Sequence, residues 1–126
     1  MYCKFFKPAE NELYDLIHEK APQAALVRHS DGAYFPLIPD LIELGIDVLN
    51  PIQWRLPGMD REGLKRDYGD RVIFHGAVDN QTTLPFGSVA DVKQEVADNL
   101  RIFGAGGGYG SPLVKLYHSR NIGLAS

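Results

Sequence analysis

The feature of this chain that most constrains its fold is a regular alternation of helical and extended segments. In four segments, apolar residues recur at the three- and four-residue spacing of an amphipathic helix, with short apolar or β-branched runs between them. Repeating strand–helix units predict an α/β fold with a parallel sheet and right-handed crossovers. The predicted helices cover residues 8–20, 35–44, 61–68 and 89–103, and the predicted strands cover residues 24–27, 46–49 and 71–74 and a glycine-rich segment that reaches Tyr109.

The spacing of the predicted strands is compatible with two parallel architectures. Strands about 20–35 residues apart fit both a (β/α)₈ barrel and a doubly wound sheet. A complete barrel requires ~250 residues, whereas the chain has 126. We therefore expect a single domain, residues 1–126, which would form about half of a barrel if the barrel is correct.

Local signals predict where the helices end and which faces they bury. Asp60 can cap the third helix, and Ser88 with Asp91 three positions later resembles a capping box before the fourth. Gly45 lies where a C-terminal glycine cap belongs. Apolar residues at helical spacing and two phenylalanines near the start of the chain are expected to face the core. These residues are Phe5, Phe6, Leu13, Leu16, Ile17, Val92, Val96, Leu100 and Phe103.

Composition excludes several functional classes. The formal net charge is −3 and Lys and Arg are not clustered, which argues against a nucleic-acid partner. Cys3 is the only cysteine, so neither an internal disulfide nor a zinc site built from several thiolates is possible. No run approaches the ~18 apolar residues of a membrane span. We expect a soluble protein of the cytoplasm with no membrane partner.

Polar residues follow each predicted strand. In parallel α/β folds, functional groups collect at the C-terminal ends of the strands, and these residues would therefore share one rim. The alternative is that strand-to-helix loops are polar in general and that some of these residues only form turns. The residues concerned are His29, Ser30, Asp31, Asn50, Gln53, His75, Asp79, Asn80 and Tyr109.

Some rim residues allow more than one role. His29 and Asp31 could supply two zinc ligands, with His75 or Asp79 as the third, or they could be a histidine hydrogen-bonded to a turn aspartate. Asp79 could orient a substrate, or it could form an Asx turn or cap a short helix. The glycine run 106–108 lacks a phosphate-binding pattern, and close backbone packing explains it better.

The ordered series of strand-end motifs resembles the uroporphyrinogen decarboxylase superfamily. The resemblance covers residues 2–109, most of the chain, and residues 110–126 diverge from the pattern. The residues that carry the resemblance are His29-Ser30-Asp31-Gly32, the run from Leu37 to Gln53, Gly58-Met59-Asp60, Leu64-Lys65, Tyr68-Gly69-Asp70-Arg71, the run from Gly76 to Gln81, and Leu84-Pro85-Phe86-Gly87 with the helix to Phe103.

This resemblance implies a (β/α)₈ TIM barrel and two branches of activity. One branch decarboxylates the acetate side chains of uroporphyrinogen III in porphyrin synthesis without a cofactor. The other transfers methyl groups between corrinoid proteins and thiols, using zinc held by a His-x-Cys pair and a later cysteine. Here Asp31 stands in place of the first cysteine, and no cysteine lies near Gly106. Asp79 matches an acidic residue that recurs at the end of its strand.

The resemblance also implies that the chain is the C-terminal portion of a barrel, with an internal start and a divergent or frameshifted end. The expected parent activity is that of a carboxy-lyase with a tetrapyrrole-like substrate and no cofactor. The alternatives are a corrinoid-dependent methyltransferase, with zinc on His29 and Asp31, and a non-catalytic half-barrel that self-associates or binds its missing half. The expected catalytic residues are Asp79 and His75, and the expected substrate-binding residues are His29, Asp31, Asn50, Gln53 and Tyr109.

Overall fold

Four parallel strands form one sheet in the computed structural model, which describes residues 1–110. The strands are β1 (Val27–His29), β2 (Val48–Asn50), β3 (Ile73–His75) and β4 (Tyr109–Gly110). They lie side by side in the order in which they occur along the chain. A doubly wound sheet reverses its strand order at a switch point. The described strands show no reversal, and this α/β fold is consistent with a partial TIM barrel.

Helices precede the sheet and connect its strands. The helices α1 (Tyr2–Phe5) and α2 (Lys7–Lys20) precede β1, and α4 (Arg61–Tyr68) connects β2 to β3. The other connections contain a 3-10 turn (Phe35–Leu37) with α3 (Ile38–Glu43), and α5 (Thr83–Phe86) with α6 (Val89–Phe103). The four predicted helices are therefore confirmed, and the short helices α1 and α5 were not among them. No helix among residues 1–110 is long and apolar enough to cross a membrane.

The predicted helix caps are present. The Asp60 carboxylate accepts the backbone N–H of Gly63, and Ser88 and Asp91 form the full capping box. Gly45 has a φ of 85°, the left-handed conformation that glycine adopts most readily after a helix. These caps depend on residues three or four positions apart, and for that reason the sequence predicts them well.

The strands were predicted too early along the chain. The predicted strand 24–27 shares only Val27 with β1, and β2 and β3 also begin and end later than predicted. Backbone pairing continues beyond each apolar run, as shown by the hydrogen bonds from Ser30 N–H to the Asn50 carbonyl and from Gly76 N–H to the Gly110 carbonyl. Each of the first three strands therefore includes the polar residue that ends it.

One cluster of buried residues joins the sheet to α3, α4 and α6. Leu49 and Phe74, from the middle of β2 and β3, are fully buried. The Phe103 ring, at the end of α6, lies 4.8 Å from the Phe74 ring and 5.5 Å from the Tyr109 ring, measured between centroids. This packing holds the strands in place beneath the loops that follow them.

The expected burial at the N-terminal end is wrong. Phe5, Phe6, Leu13 and Leu16 are all at least half exposed, and of the expected inner face of α2 only Ile17 packs against the core. The helical spacing correctly groups residues on a face, but it does not say whether another element covers that face. We call the exposed set Phe5, Phe6, Leu13 and Leu16 the N-terminal apolar face.

The capping box gives a test of the fold. Changing Ser88 to Ala removes the side-chain acceptor for the Asp91 N–H, and we expect the free energy of unfolding to fall by about 1 kcal/mol, the usual effect of losing an N-cap. Urea unfolding followed by circular dichroism measures the change. Ser88→Thr, which keeps a hydroxyl that can accept the Asp91 N–H and donate to the Asp91 carboxylate, should be close to wild type. Equal destabilisation by both substitutions would contradict the proposed cap.

Candidate functional site

A cleft of about 570 Å³ lies at the C-terminal ends of the strands. Every predicted catalytic or substrate-binding residue except Tyr109 lines it, and the loop after β2 contributes Trp54 and Arg55 among others. The sequence therefore correctly predicted which rim gathers these polar residues. The predicted members that line the cleft are His29, Asp31, Asn50, Gln53, His75 and Asp79.

A row of three hydrogen-bonded side chains on neighbouring strands lines the cleft. His29 Nδ1 lies 2.7 Å from Asn50 Oδ1, and Asn50 Nδ2 lies 2.6 Å from His75 Nδ1. The parallel register pairs His29 with Asn50 and Leu49 with Phe74. His75, the residue after Phe74, therefore lies beside Asn50. The sequence allowed a turn aspartate as the hydrogen-bond partner of His29. In the structure the partner is Asn50.

Two predicted substrate-binding residues already have structural contacts. Gln53 Oε1 accepts the backbone N–H of Gly32 at 2.5 Å, which ties the loop after β1 to the loop after β2. Tyr109 is buried, and its hydroxyl donates to the Gly76 carbonyl at 2.5 Å. Tyr109 therefore supports the loop after β3 from below. Substrate binding by these two residues stays a prediction.

Asp79 is held from two sides. Its Oδ1 accepts the backbone N–H groups of Gln81 at 2.8 Å and Thr82 at 3.1 Å, which is the Asx turn considered from the sequence. Its Oδ2 lies 2.5 Å from Nε of Arg55. This contact is an ion pair in which the guanidinium attracts the carboxylate.

These contacts keep Asp79 ionised. Burial raises the pKa of this carboxyl, but the donors of Gln81 and Thr82 and the guanidinium of Arg55 lower it by more, and the pKa lies below its usual range. The Asp79 side chain is only 10% exposed. The cleft therefore contains a fixed negative charge at neutral pH.

Glu95 on α6 is a site residue that the sequence failed to predict. It is only 6% exposed, and its carboxylate accepts the backbone N–H of Asp79 at 2.6 Å and the hydroxyl of Thr83. The indole N–H of Trp54 donates to the same carboxylate at 3.3 Å, and an Arg55 nitrogen lies 3.6 Å away. A buried carboxylate is tolerated because it has these partners. Glu95 thus positions the segment that carries Asp79.

Asn99, one turn further along α6, fixes the start of the same loop. Its Nδ2 donates to the Ala77 carbonyl at 2.6 Å, and its Oδ1 accepts from Arg61 at 2.8 Å. Ala77 has a φ of 70°, a conformation that a non-glycine residue adopts at an energetic cost, and the Asn99 bond helps to hold it. The guanidinium groups of Arg61 and Arg55 lie 4.0 and 4.3 Å from the centre of the Trp54 ring.

The predicted apolar stripe of α6 is only partly correct. Phe103 is fully buried, but Val92, Val96 and Leu100 are only partly buried, because the helix turns Glu95 and Asn99 inwards. Residues 92, 95, 99, 102 and 103 share a helical face. The presence of Glu95 and Asn99, two polar residues, on that otherwise apolar face was the signal that could have identified them as site residues.

The described residues do not form a complete metal site. Among residues 1–110, no three His, Cys, Asp or Glu side chains come together in a way that could hold a metal ion. His29 and Asp31, the two candidate zinc ligands, both line the cleft but have no third ligand within that range.

A sequence model of the family described as Uroporphyrinogen decarboxylase (URO-D) matches residues 1–112. No curated protein and no solved structure matches the chain.

The charge of Asp79 predicts a dependence of stability on pH. Its lowered pKa in the folded state stabilises the fold at pH values above the unfolded value of ~3.9. This stabilisation is lost as pH falls through the lower, folded value. We expect Asp79→Asn, which keeps an Asx-turn acceptor, to lower the free energy of unfolding at pH 7 by about 1 kcal/mol, as for an ion pair with one solvent-exposed partner.

Urea unfolding of both proteins at pH 7 and at pH 3 measures this difference, which should shrink at the lower pH. In an Arg55→Gln background, the effect of Asp79→Asn at pH 7 should also be smaller, because the cation is gone. A difference that is the same at both pH values would contradict the assigned role of the charge.

Proposed function

Because the chain belongs to the uroporphyrinogen decarboxylase family, we propose that its cleft serves a cytoplasmic carbon–carbon lyase that removes carboxyl groups from the acetate side chains of uroporphyrinogen III. The observation that carries the proposal is the ionised Asp79 in the loop after β3, in a cleft at the rim where barrel enzymes place their chemistry. The proposal requires no cofactor.

The charge balance of the cleft supports stabilisation of a cation. Its lining contains the carboxylates of Asp31 and Asp79 and the guanidinium of Arg55, and Arg55 also lies near the buried Glu95. A pyrrole ring protonated on carbon carries a positive charge, and loss of carbon dioxide from its acetate side chain sends the bonding electrons into that ring. A fixed carboxylate near the ring stabilises the positive charge before the carbon–carbon bond breaks.

His75 is the second proposed catalytic residue. Its imidazole lines the cleft and is held by Asn50. Imidazole donates and accepts protons near neutral pH. In the proposed reaction, a proton must be added to the side-chain carbon that loses its carboxylate, and the proton on the ring carbon must then leave. Together these steps convert the acetate into a methyl group and restore the neutral pyrrole. His29, Asp31 and Asn50 would contact the polar edges of the substrate.

The decarboxylase proposal is tested directly with uroporphyrinogen III under anaerobic, reducing conditions. We expect products that have lost one carbon dioxide for each converted side chain, detected by chromatography and mass spectrometry after oxidation to porphyrins. Asp79→Asn should lower the rate by about 10²–10³-fold, the usual effect of removing one group that stabilises the transition state. Asp67→Asn, which alters an exposed aspartate paired with Arg66 on α4, is the matched control and should leave the rate unchanged.

Absence of product with folded wild-type protein would contradict the proposal for this chain. Equal loss of activity in the Asp79 and Asp67 variants would contradict the role of Asp79.

The second candidate is a corrinoid-dependent methyltransferase. The presence of both His29 and Asp31 on the cleft wall favours it, since imidazole and carboxylate both suit zinc. The lack of a third ligand among residues 1–110 makes the decarboxylase the better supported of the two. Bound zinc in elemental analysis, at one equivalent and lost in His29→Gln, would favour the methyltransferase.

A third candidate, a self-associating half-barrel, rests on surfaces that lack a partner within the described residues. In residues 1–110, β1 pairs with β2 on one side only, and Val27 on this edge strand is 59% exposed. The N-terminal apolar face is exposed as well. An open strand edge together with exposed apolar side chains favours association. We propose that a second copy of the chain covers these surfaces.

Light scattering over a range of concentrations tests self-association. We expect wild type to be a dimer or larger, and the double variant Leu13→Gln, Leu16→Gln to shift towards monomer, because it removes apolar area that association would bury. Leu84→Gln, which changes a leucine of similar exposure on α5, is the control and should behave as wild type. A monomeric wild type at all concentrations would contradict this proposal.

A further inference from the structure

We propose that Asn50 is a positioning residue that holds the two cleft histidines, His29 and His75, in opposite tautomers. A neutral imidazole carries one proton, either on Nδ1 or on Nε2, and the hydrogen bond made by one nitrogen decides which. Both histidines direct Nδ1 to the same amide group, one to its oxygen and the other to its nitrogen.

The chemistry of the amide fixes each proton. Asn50 Oδ1 can only accept a hydrogen bond, so His29 Nδ1, 2.7 Å away, carries the proton and His29 Nε2 is the unprotonated nitrogen. Asn50 Nδ2 can only donate, so His75 Nδ1, 2.6 Å away, is the acceptor and His75 Nε2 carries the proton. If the amide oxygen and nitrogen of Asn50 exchanged places, the tautomers of both histidines would exchange as well. The three side chains therefore act as one unit.

The surroundings hold the row in place. The Asn50 carbonyl accepts the N–H of Ser30, which fixes the end of β2 against β1. A side chain at Gly76 would begin 3.5 Å from Asn50 Nδ2, and one at Gly110 would begin 2.9 Å from Cδ2 of His75. The His75 ring therefore packs against the backbone of β4, which leaves it little room to turn.

The consequence is a cleft with complementary hydrogen-bonding groups. His29 offers an acceptor nitrogen, and His75 offers an N–H donor. This pair suits a ligand that has both a donor and an acceptor, and it distinguishes such a ligand from one with acceptors alone. The inference does not rest on the proposed reaction, since it follows from the hydrogen bonds of the three side chains.

Long-range ¹H–¹⁵N NMR correlation of the ring nitrogens in the full-length ¹⁵N-labelled chain tests the inference. The chain has 4 histidines, and His29→Gln and His75→Gln identify the two relevant sets of signals. Spectra are recorded with pH raised above ~6.5, the ordinary histidine value, until they no longer change. In wild type we expect His29 protonated at Nδ1 and His75 protonated at Nε2.

Asn50→Asp is the decisive substitution. Its carboxylate can only accept hydrogen bonds, so we expect His75 to move its proton to Nδ1 while His29 keeps its tautomer. Gln53→Glu places the same charge in the same cleft while keeping the acceptor for Gly32, and it should change neither tautomer.

Two results would overturn the inference. One is a wild-type spectrum in which the two histidines have the same tautomer, or the reverse of the assignment. The other is an unchanged His75 in a folded Asn50→Asp, or a switch of His75 in Gln53→Glu as well. Because the wild-type spectrum is informative by itself, the test does not depend on the stability of any Asn50 variant.

Discussion

The parallel register of β1, β2 and β3 is the constraint on which the cleft depends. Each of these strands ends in a side chain capable of hydrogen bonding, and the ladder places His29 beside Asn50, with His75 on the next strand. A shift of one residue in either pairing would direct neighbouring side chains to opposite faces of the sheet and break the row. The fully buried Leu49 and Phe74 immediately before the strand ends oppose such a shift, because it would expose them.

A second layer of polar contacts positions the loop after β3. Glu95 and Asn99 are both buried on α6, and they bind the backbone of Asp79 and Ala77 respectively. Buried polar side chains are costly unless they are satisfied, and those contacts specify one arrangement of the loop. Asp79 is therefore held in position by Glu95 of α6, which lies 16 positions away in the sequence. Arg55 completes the arrangement from the loop after β2.

The sequence predicted those features that depend on neighbouring residues. The cap at Asp60 and the capping box at Ser88 were correct because donor and acceptor lie three positions apart. The rim was correctly predicted, because parallel strands bring their C-terminal ends together. The features that failed depend on distant contacts. The prediction that Leu13 is buried was wrong because no element of the described chain covers it. Glu95 was missed because the groups that donate hydrogen bonds to it lie 12 to 41 positions away in the sequence.

The edge position of β1 connects the site with the exposed apolar surfaces. His29 is the last residue of this strand, so one imidazole of the row lies at the border of the described sheet. A parallel strand that paired with the free side of β1 would place its own C-terminal end beside His29 and so add a wall to the cleft. The N-terminal apolar face is carried by the helices that lead into β1. Any element that covers this face and pairs with β1 would therefore also determine which group lies next to Nε2 of His29.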